Sequence, residues 1–172
     1  MSDLRALIRE IPDFPKPGIL FRDITPLLAN GPGLREAVAQ IAAPFRGRAD
    51  VVLGIESRGF ILGAPVAVEL GVGLAIVRKP GKLPAATVSA SYALEYGTDS
   101  LEIHADAVGH GHRVLIVDDL LATGGTAAAA IGLVRRLGGH VTACSFLIEL
   151  VGLGGRARLA PVDVHAVLSY AD

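Results

Sequence analysis

With 172 residues, 51% of them hydrophobic and only 5% aromatic, the chain is long enough to bury a real core and too short for two ordinary domains. Sixteen Lys and Arg against seventeen Asp and Glu leave a formal net charge of -1, which removes the electrostatic case for nucleic acid as a partner. Glu69, Arg78, Asp118, Arg135 and Glu149 interrupt every apolar run before it reaches the roughly 18 to 20 residues that a membrane-spanning helix needs.

The start, "MSDLRALIRE", mixes acids with bases and lacks the long apolar core of a signal peptide, so a soluble, cytoplasmic protein is expected. Its residues 2–10 are compatible with a short amphipathic helix, which Pro12, Pro15 and Pro17 then stop. A loop-rich segment, "FPKPGILFRDITPLLANGPG", leads to a helix over residues 34–45. From there the pattern is regular: a strand at 51–55, a helix at 60–70, strands at 74–77 and 114–117, a helix at 127–137, and strands at 141–150 and 164–168. Alternating strands and helices, with strands that are unbroken aliphatic runs, predict an α/β fold with a mostly parallel central sheet flanked by helices. All 172 residues are expected to form one domain. Between Arg78 and Arg113 the rhythm breaks. "RKPGKLP" reads as a mobile loop, and "VSASYALEYG" and "SLEIH", separated by Gly97 and Thr98, read as a β-ribbon lying off the main sheet. The lone Cys144, inside "VTACSFLIEL", is read as a buried and inert thiol.

In an open parallel sheet, ligands bind outside the carboxyl ends of the strands. Three segments fall there, "ESRGF", "RKPGK" and "DDLLATGGT", and they collect Arg58, Arg78, Lys79, Lys82, Asp118 and Asp119. The small residues Thr123, Gly124, Gly125 and Thr126 precede a helix, where backbone N–H groups and the helix dipole suit a phosphate. Read alone, the turn is equally a helix start capped by Thr123 or Thr126, and it lacks the Lys of a Walker loop. Two carboxylates in front of a phosphate cradle would repel the ligand. A sugar phosphate removes the conflict: the cradle takes the phosphate, and an acid accepts from the sugar hydroxyls. The same acid stabilises positive charge that develops at the anomeric carbon.

"VLIVDDLLATGGTA" resembles the phosphoribosyl-pyrophosphate motif of the type I phosphoribosyltransferases, and its Leu pair before Ala-Thr-Gly-Gly-Thr is similar to their adenine-specific branch. "FPKPGILFRDITPLL", "ESRGF", "RKPGKLP", "ASYALEYG" and "LAPVDVHAVLSY" agree in order and spacing, so the resemblance runs from about Ile11 to Tyr170. It implies the type I fold with a small N-terminal hood and a flexible loop and ribbon. It also implies transfer of a 5-phosphoribosyl group from its pyrophosphate donor to adenine, giving AMP and pyrophosphate in purine salvage, with Mg²⁺ and as a homodimer.

Carried over by motif, Ala122, Thr123, Gly124, Gly125 and Thr126 would hold the 5′-phosphate, and Asp118 and Asp119 would meet the ribose directly or through Mg²⁺-bound water. Arg58, Arg78, Lys79 and Lys82 would meet the pyrophosphate, although "RKPGK" by itself reads as a solvated basic turn. Arg58 would act in catalysis by stabilising the leaving group. Leu20, Phe21 and Arg22 would form the adenine site, with Phe21 stacked on the purine; alone, Phe21 reads as core packing. Glu95 would approach purine N7 as an acid/base, where position alone makes it a solvent-facing ribbon residue. The role of Glu56 is left open. Within enzymes the alternatives are another purine or orotate phosphoribosyltransferase. Outside them, the alternative is a non-catalytic sensor of the phosphoribosyl donor, which would need an appendage that the sequence does not supply. "GLGGRA" formally fits a dinucleotide fingerprint but is read as a turn, and His110 and His112 are read as a solvated turn rather than a metal site.

Overall fold

The computed structural model describes residues 3–93 and 97–171. It begins with a 3₁₀ turn, Arg5–Leu7, and strand β1, Arg9–Pro12. The expected helix over residues 2–10 is therefore a correction. The segment pairs antiparallel with β2, Leu20–Asp23, and its charged residues serve as cross-strand partners. Arg9 Nη2 lies 2.6 Å from Asp23, and Arg22 pairs with Glu10. This two-stranded hood is followed by helices α1, Thr25–Ala29, and α2, Gly31–Ala42, the second capped by Asn30, whose Oδ1 accepts from Gly33 N at 2.8 Å.

The main sheet and its helices follow as β3 (Val51–Ile55), α3 (Arg58–Leu70), β4 (Gly73–Arg78), β5 (Thr87–Ala93), β6 (Thr98–His104), β7 (Arg113–Leu121), α4 (Gly125–Arg136), β8 (His140–Leu150), α5 (Gly155–Leu159) and β9 (Asp163–Tyr170). The strand order is β5-β6-β4-β3-β7-β8-β9. The pairs among β4, β3, β7, β8 and β9 are parallel, and β6 and β5 are added antiparallel at one edge. The period-2 rule sends alternate residues of each central strand to opposite faces, and both faces are covered. Leu53, Ile116 and Phe146 pack with Ala130, Leu133 and Val134 of α4, whereas Val52, Leu115 and Leu147 pack with Leu62 and Val66 of α3 and Ile41 of α2.

The ribbon departs from expectation. It joins the main sheet through Val77 opposite Ile103 and Arg78 opposite Glu102. Leu101 and Ile103 are fully buried, so the alternating run needed a core to face and found it at the β4 edge. β6 begins at Thr98, inside the expected separator, and its pairing with β5 (Thr87–Ala93) puts Tyr92 opposite Asp99. Glu95, with Leu94 and Tyr96, lies outside the described residues.

At the opposite edge, buried Tyr170 on β9 ties the hood to the sheet: the guanidinium carbon of Arg22 lies 4.1 Å and that of Arg5 4.3 Å from its ring centroid. Cys144 is fully buried on β8, and burial pushes its thiol up to about 12, in keeping with an inert residue. Among the described residues no helix is long and apolar enough to cross a membrane.

Candidate active site

The carboxyl ends of β3, β4 and β7 open into one cavity of about 360 Å³. It brings together Arg58, Lys79, Asp118 and Asp119 with the whole run Ala122, Thr123, Gly124, Gly125 and Thr126, and Phe146 from β8 also lines it. Strands of different sequence position thus deliver the predicted phosphate, sugar and basic groups to one place, as the strand-end rule requires.

The Gly–Thr turn is not capped by a threonine. Gly124 occupies the cap with φ +80°, and among the described residues no side chain caps the helix. The early N–H groups of the helix are the ones that regular helical pairing leaves without partners, and here Gly125, Thr126 and Ala127 line the cavity. The turn rests on the segment that follows β8. A Cβ on Gly124 would lie 3.0 Å from the Gly155 carbonyl oxygen. In return, a Cβ on Gly155 would overlap the Ala122 carbonyl oxygen and come 2.8 Å from Leu121 Cδ1. "GLGGRA" is thus more than the expected turn: a 3₁₀ turn, Val151–Leu153, leads to the short helix α5 and then to β9, and its glycines let two backbones touch. Arg156 fixes this segment through Glu149, which is buried, at 3.0 and 2.5 Å.

The two acids occupy different environments, as their alternation on a strand predicts. Asp119 pairs with Arg58, the first residue of α3. Asp118 Oδ1 instead accepts the N–H of Asp119 at 2.9 Å. Burial, reinforced by the charge of Asp119, raises the Asp118 carboxyl well above the usual carboxylate range. A pocket that sets two carboxyls beside Arg58 and Lys79 is suited to a ligand that brings hydroxyl donors next to negative charge.

Glu56 now has a place. Its carboxylate accepts from Lys82 Nζ at 2.7 Å, from the Lys79 backbone N–H at 2.8 Å and from Arg78 Nε at 3.3 Å. The bond from Lys82, opposed by burial and helped by the Lys79 N–H, lowers its carboxyl to about 2, so it is ionised across the physiological range. Arg78 and Lys82 are gathered one step behind the cavity wall through Glu56, whereas Lys79 lines the cavity itself. Leu20, Phe21 and Arg22 do not line it. The Phe21 ring comes within 5.9 Å of the Arg58 guanidinium carbon and packs edge-on against Phe14, while the Arg22 side chain is buried toward Glu10 and Tyr170. Arg22 thus supports the hood with its side chain.

Tyr92 and Phe146 were missed by the sequence reading. Tyr92 was findable by register: once the ribbon bend is placed between Ala93 and Thr98, the pair Tyr92 and Asp99 follows. His110 and His112 sit in a turn where His112 Nδ1 accepts from Gly109 N at 3.2 Å, and no cluster of three metal-binding groups occurs among the described residues.

Residues 24–166 match the phosphoribosyl transferase domain. The chain is 58% identical over 169 residues to the adenine phosphoribosyltransferase of Acaryochloris marina, covering 98% of this chain and 99% of that one. Among solved structures it is similar to the adenine phosphoribosyltransferase of Thermoanaerobacter pseudethanolicus, with a TM-score of 0.95 and 52% identity over 98% of both chains. It is also similar to that of Saccharomyces cerevisiae complexed with an imino-altritol bisphosphate and adenine, with a TM-score of 0.93, 38% identity and coverage of 96% of this chain and 97% of that one. Matches of this extent, on a chain whose cavity gathers the Gly–Thr turn, the acid pair and the basic strand ends, leave one assignment: the chain belongs to the phosphoribosyl transferase domain family, within its adenine phosphoribosyltransferase branch.

Proposed function

We infer that the chain transfers the 5-phosphoribosyl group of 5-phosphoribosyl 1-pyrophosphate to adenine, forming AMP and pyrophosphate, and so works in purine salvage in the cytoplasm, as one phosphoribosyltransferase domain. The observation that carries this reading is the cavity in which a peptide-lined helix start, the acid pair Asp118 and Asp119, Glu56, and the cations Arg58 and Lys79 converge. In the reaction the bond from C1 of the sugar to the pyrophosphate oxygen breaks, its electron pair leaving with pyrophosphate. N9 of adenine bonds to C1 and loses its proton. The N–H groups of the Gly–Thr turn hold the 5′-phosphate, and the acid pair faces the ribose and the positive charge that grows on it. Arg58 and Lys79, with Arg78 and Lys82 behind them, balance the charge gathering on pyrophosphate. Glu95 is the proposed acid/base near purine N7.

Asp118 and Asp119, oxygen donors side by side on the cavity wall, suit Mg²⁺, a hard cation that keeps its waters and shares phosphate oxygens. Asp118 and Asp119 would hold it through water, and it would supply neutralising charge at the donor. Base choice follows from the backbone around Leu20 and Arg22, with Phe21 as the stacking face. Carbonyls that accept from an exocyclic amine meet another acceptor in a 6-oxo purine. With Mg²⁺ and the phosphoribosyl donor, adenine should be converted to nucleotide and hypoxanthine should lag by about 10⁴-fold, as for sites that lose a specific hydrogen bond. Product measured with each base separately decides the matter, and equal rates with hypoxanthine would sink the adenine assignment.

The proposed partner is a second copy of the chain. Ile61 and Val68, two turns apart on α3, are 47% and 81% exposed. A stripe of this kind on a helix that otherwise faces the core suits an isologous contact. Sedimentation equilibrium should give twice the chain mass, and Val68→Glu should halve it; a monomeric wild type would rule the contact out.

A further inference from the structure

Among the described residues of the ribbon, one to which the resemblance assigned no role sends its side chain into the cavity. Tyr92 lines it, and its hydroxyl lies 3.1 Å from Lys79 Nζ and 3.1 Å from Asp99 Oδ2. Lys79 Nζ also pairs with Asp99 directly and stands 5.6 Å from the Tyr92 ring centroid. Three groups from three neighbouring strands thus close a triangle of which one ammonium is a corner: Lys79 directly follows β4, and Tyr92 and Asp99 are cross-strand partners on β5 and β6. Thr126 Oγ1 of the phosphate turn reaches the same hydroxyl only at 3.5 Å, too long to carry the argument.

Lysine has a long flexible stem, and fixing its rotamers costs conformational entropy. A free Lys79 would bear that cost each time it met an anion. Held by Tyr92 and Asp99, its stem is ordered beforehand, with the ammonium already at the cavity wall. Burial alone would lower the Lys79 pKa, and the bonds from Asp99 and Tyr92 outweigh it and raise the net value, so the group is charged when the ligand arrives.

We propose that Tyr92 is a positioning residue for pyrophosphate: its hydroxyl, with Asp99, orients the Lys79 ammonium, so that the β5–β6 ribbon is part of the donor site. The inference rests on the reading that Lys79 meets pyrophosphate. Tyr92 does not act on the sugar or the base. Its effect passes through Lys79 and vanishes when Lys79 carries no charge.

The experiment is a double-mutant cycle read by calorimetric binding of pyrophosphate and, separately, of ribose 5-phosphate, each with Mg²⁺. Tyr92→Phe keeps the ring and removes the hydroxyl. It should weaken pyrophosphate roughly 3- to 10-fold, the span of one hydrogen bond, and leave ribose 5-phosphate and the melting temperature unchanged. Lys79→Met should weaken pyrophosphate more, and adding Tyr92→Phe to it should cost nothing further. If Lys79→Met binds pyrophosphate like the wild type, the reading of Lys79 fails and the inference goes with it. If Lys79→Met is weakened while Tyr92→Phe is not, the inference alone is overturned. It is likewise overturned if Tyr92→Phe weakens both ligands equally, or weakens pyrophosphate as much without Lys79 as with it.

Discussion

Gly155→Ala should lower kcat/KM for the phosphoribosyl donor by about 10²-fold, in a protein that still folds. The methyl would overlap the Ala122 carbonyl oxygen and crowd Leu121 Cδ1, so either the Gly–Thr turn or α5 must move. The α5 side is pinned, because Arg156 holds buried Glu149 at two points and donates to the Val164 carbonyl at 2.6 Å. The turn is the softer partner: no side chain caps it, and Gly124 sits in the left-handed region. A displacement of about an ångström at a positioning group costs on the order of 10² in rate, while the overpacking itself costs about 1–3 kcal/mol of stability. The check is kinetic and structural together: steady-state rates against donor concentration, ribose 5-phosphate binding, and a thermal melt. Wild-type affinity for ribose 5-phosphate in the folded variant would show that the α5 segment does not set the turn.

The second large effect is at Arg58. Arg58→Ala should reduce kcat by about 10² to 10³, the range for removing one donor aimed at charge that develops in the transition state. Because that charge is greater on the departing pyrophosphate than on the bound donor, kcat and kcat/KM should fall together. Arg58→Lys should recover only part, since a point charge on a flexible stem does not replace a fork already fixed against Asp119. Asp119→Asn separates the two jobs of the pair: it leaves the guanidinium in place and loosens its orientation, so its loss should be smaller than that of Arg58→Ala. A variant lacking Arg58 that turns over near the wild-type rate, under conditions where chemistry limits, removes Arg58 from the catalytic step.

Much of this arrangement could be read from residues. The strands of the sheet core were legible because burial on both faces writes them as aliphatic runs, as in Val51–Ile55, and the end of β3 was legible because polar residues start abruptly at Glu56; at Asp118 the same signal misled, since β7 stays paired with β8 as far as Leu121. Two elements were not. Residues 5–12 carry a pattern that either a helix or a strand could use, and pairing with β2 decided between them, a contact whose partner lies a loop away. The ribbon's alternation announced two strands with one apolar face but could not say which edge would cover Leu101 and Ile103. That one uncertainty hid both Tyr92 and Asp99 from the site. Gly155 was hidden for a different reason, since a close approach between backbones leaves a glycine as its only trace, and a glycine has many causes.

Each cation proposed for the donor's pyrophosphate is already matched by an acid of the same chain: Arg58 by Asp119, Lys79 by Asp99, Arg78 and Lys82 by Glu56. An arriving polyanion therefore trades places with resident counter-charges instead of falling onto bare ones. A small stray anion such as chloride can displace a single match and gains little by it, whereas a ligand bearing phosphates at both ends, and its own divalent escort, can exchange several at once. Discrimination against the wrong anions is thereby built into the pairing of these charges.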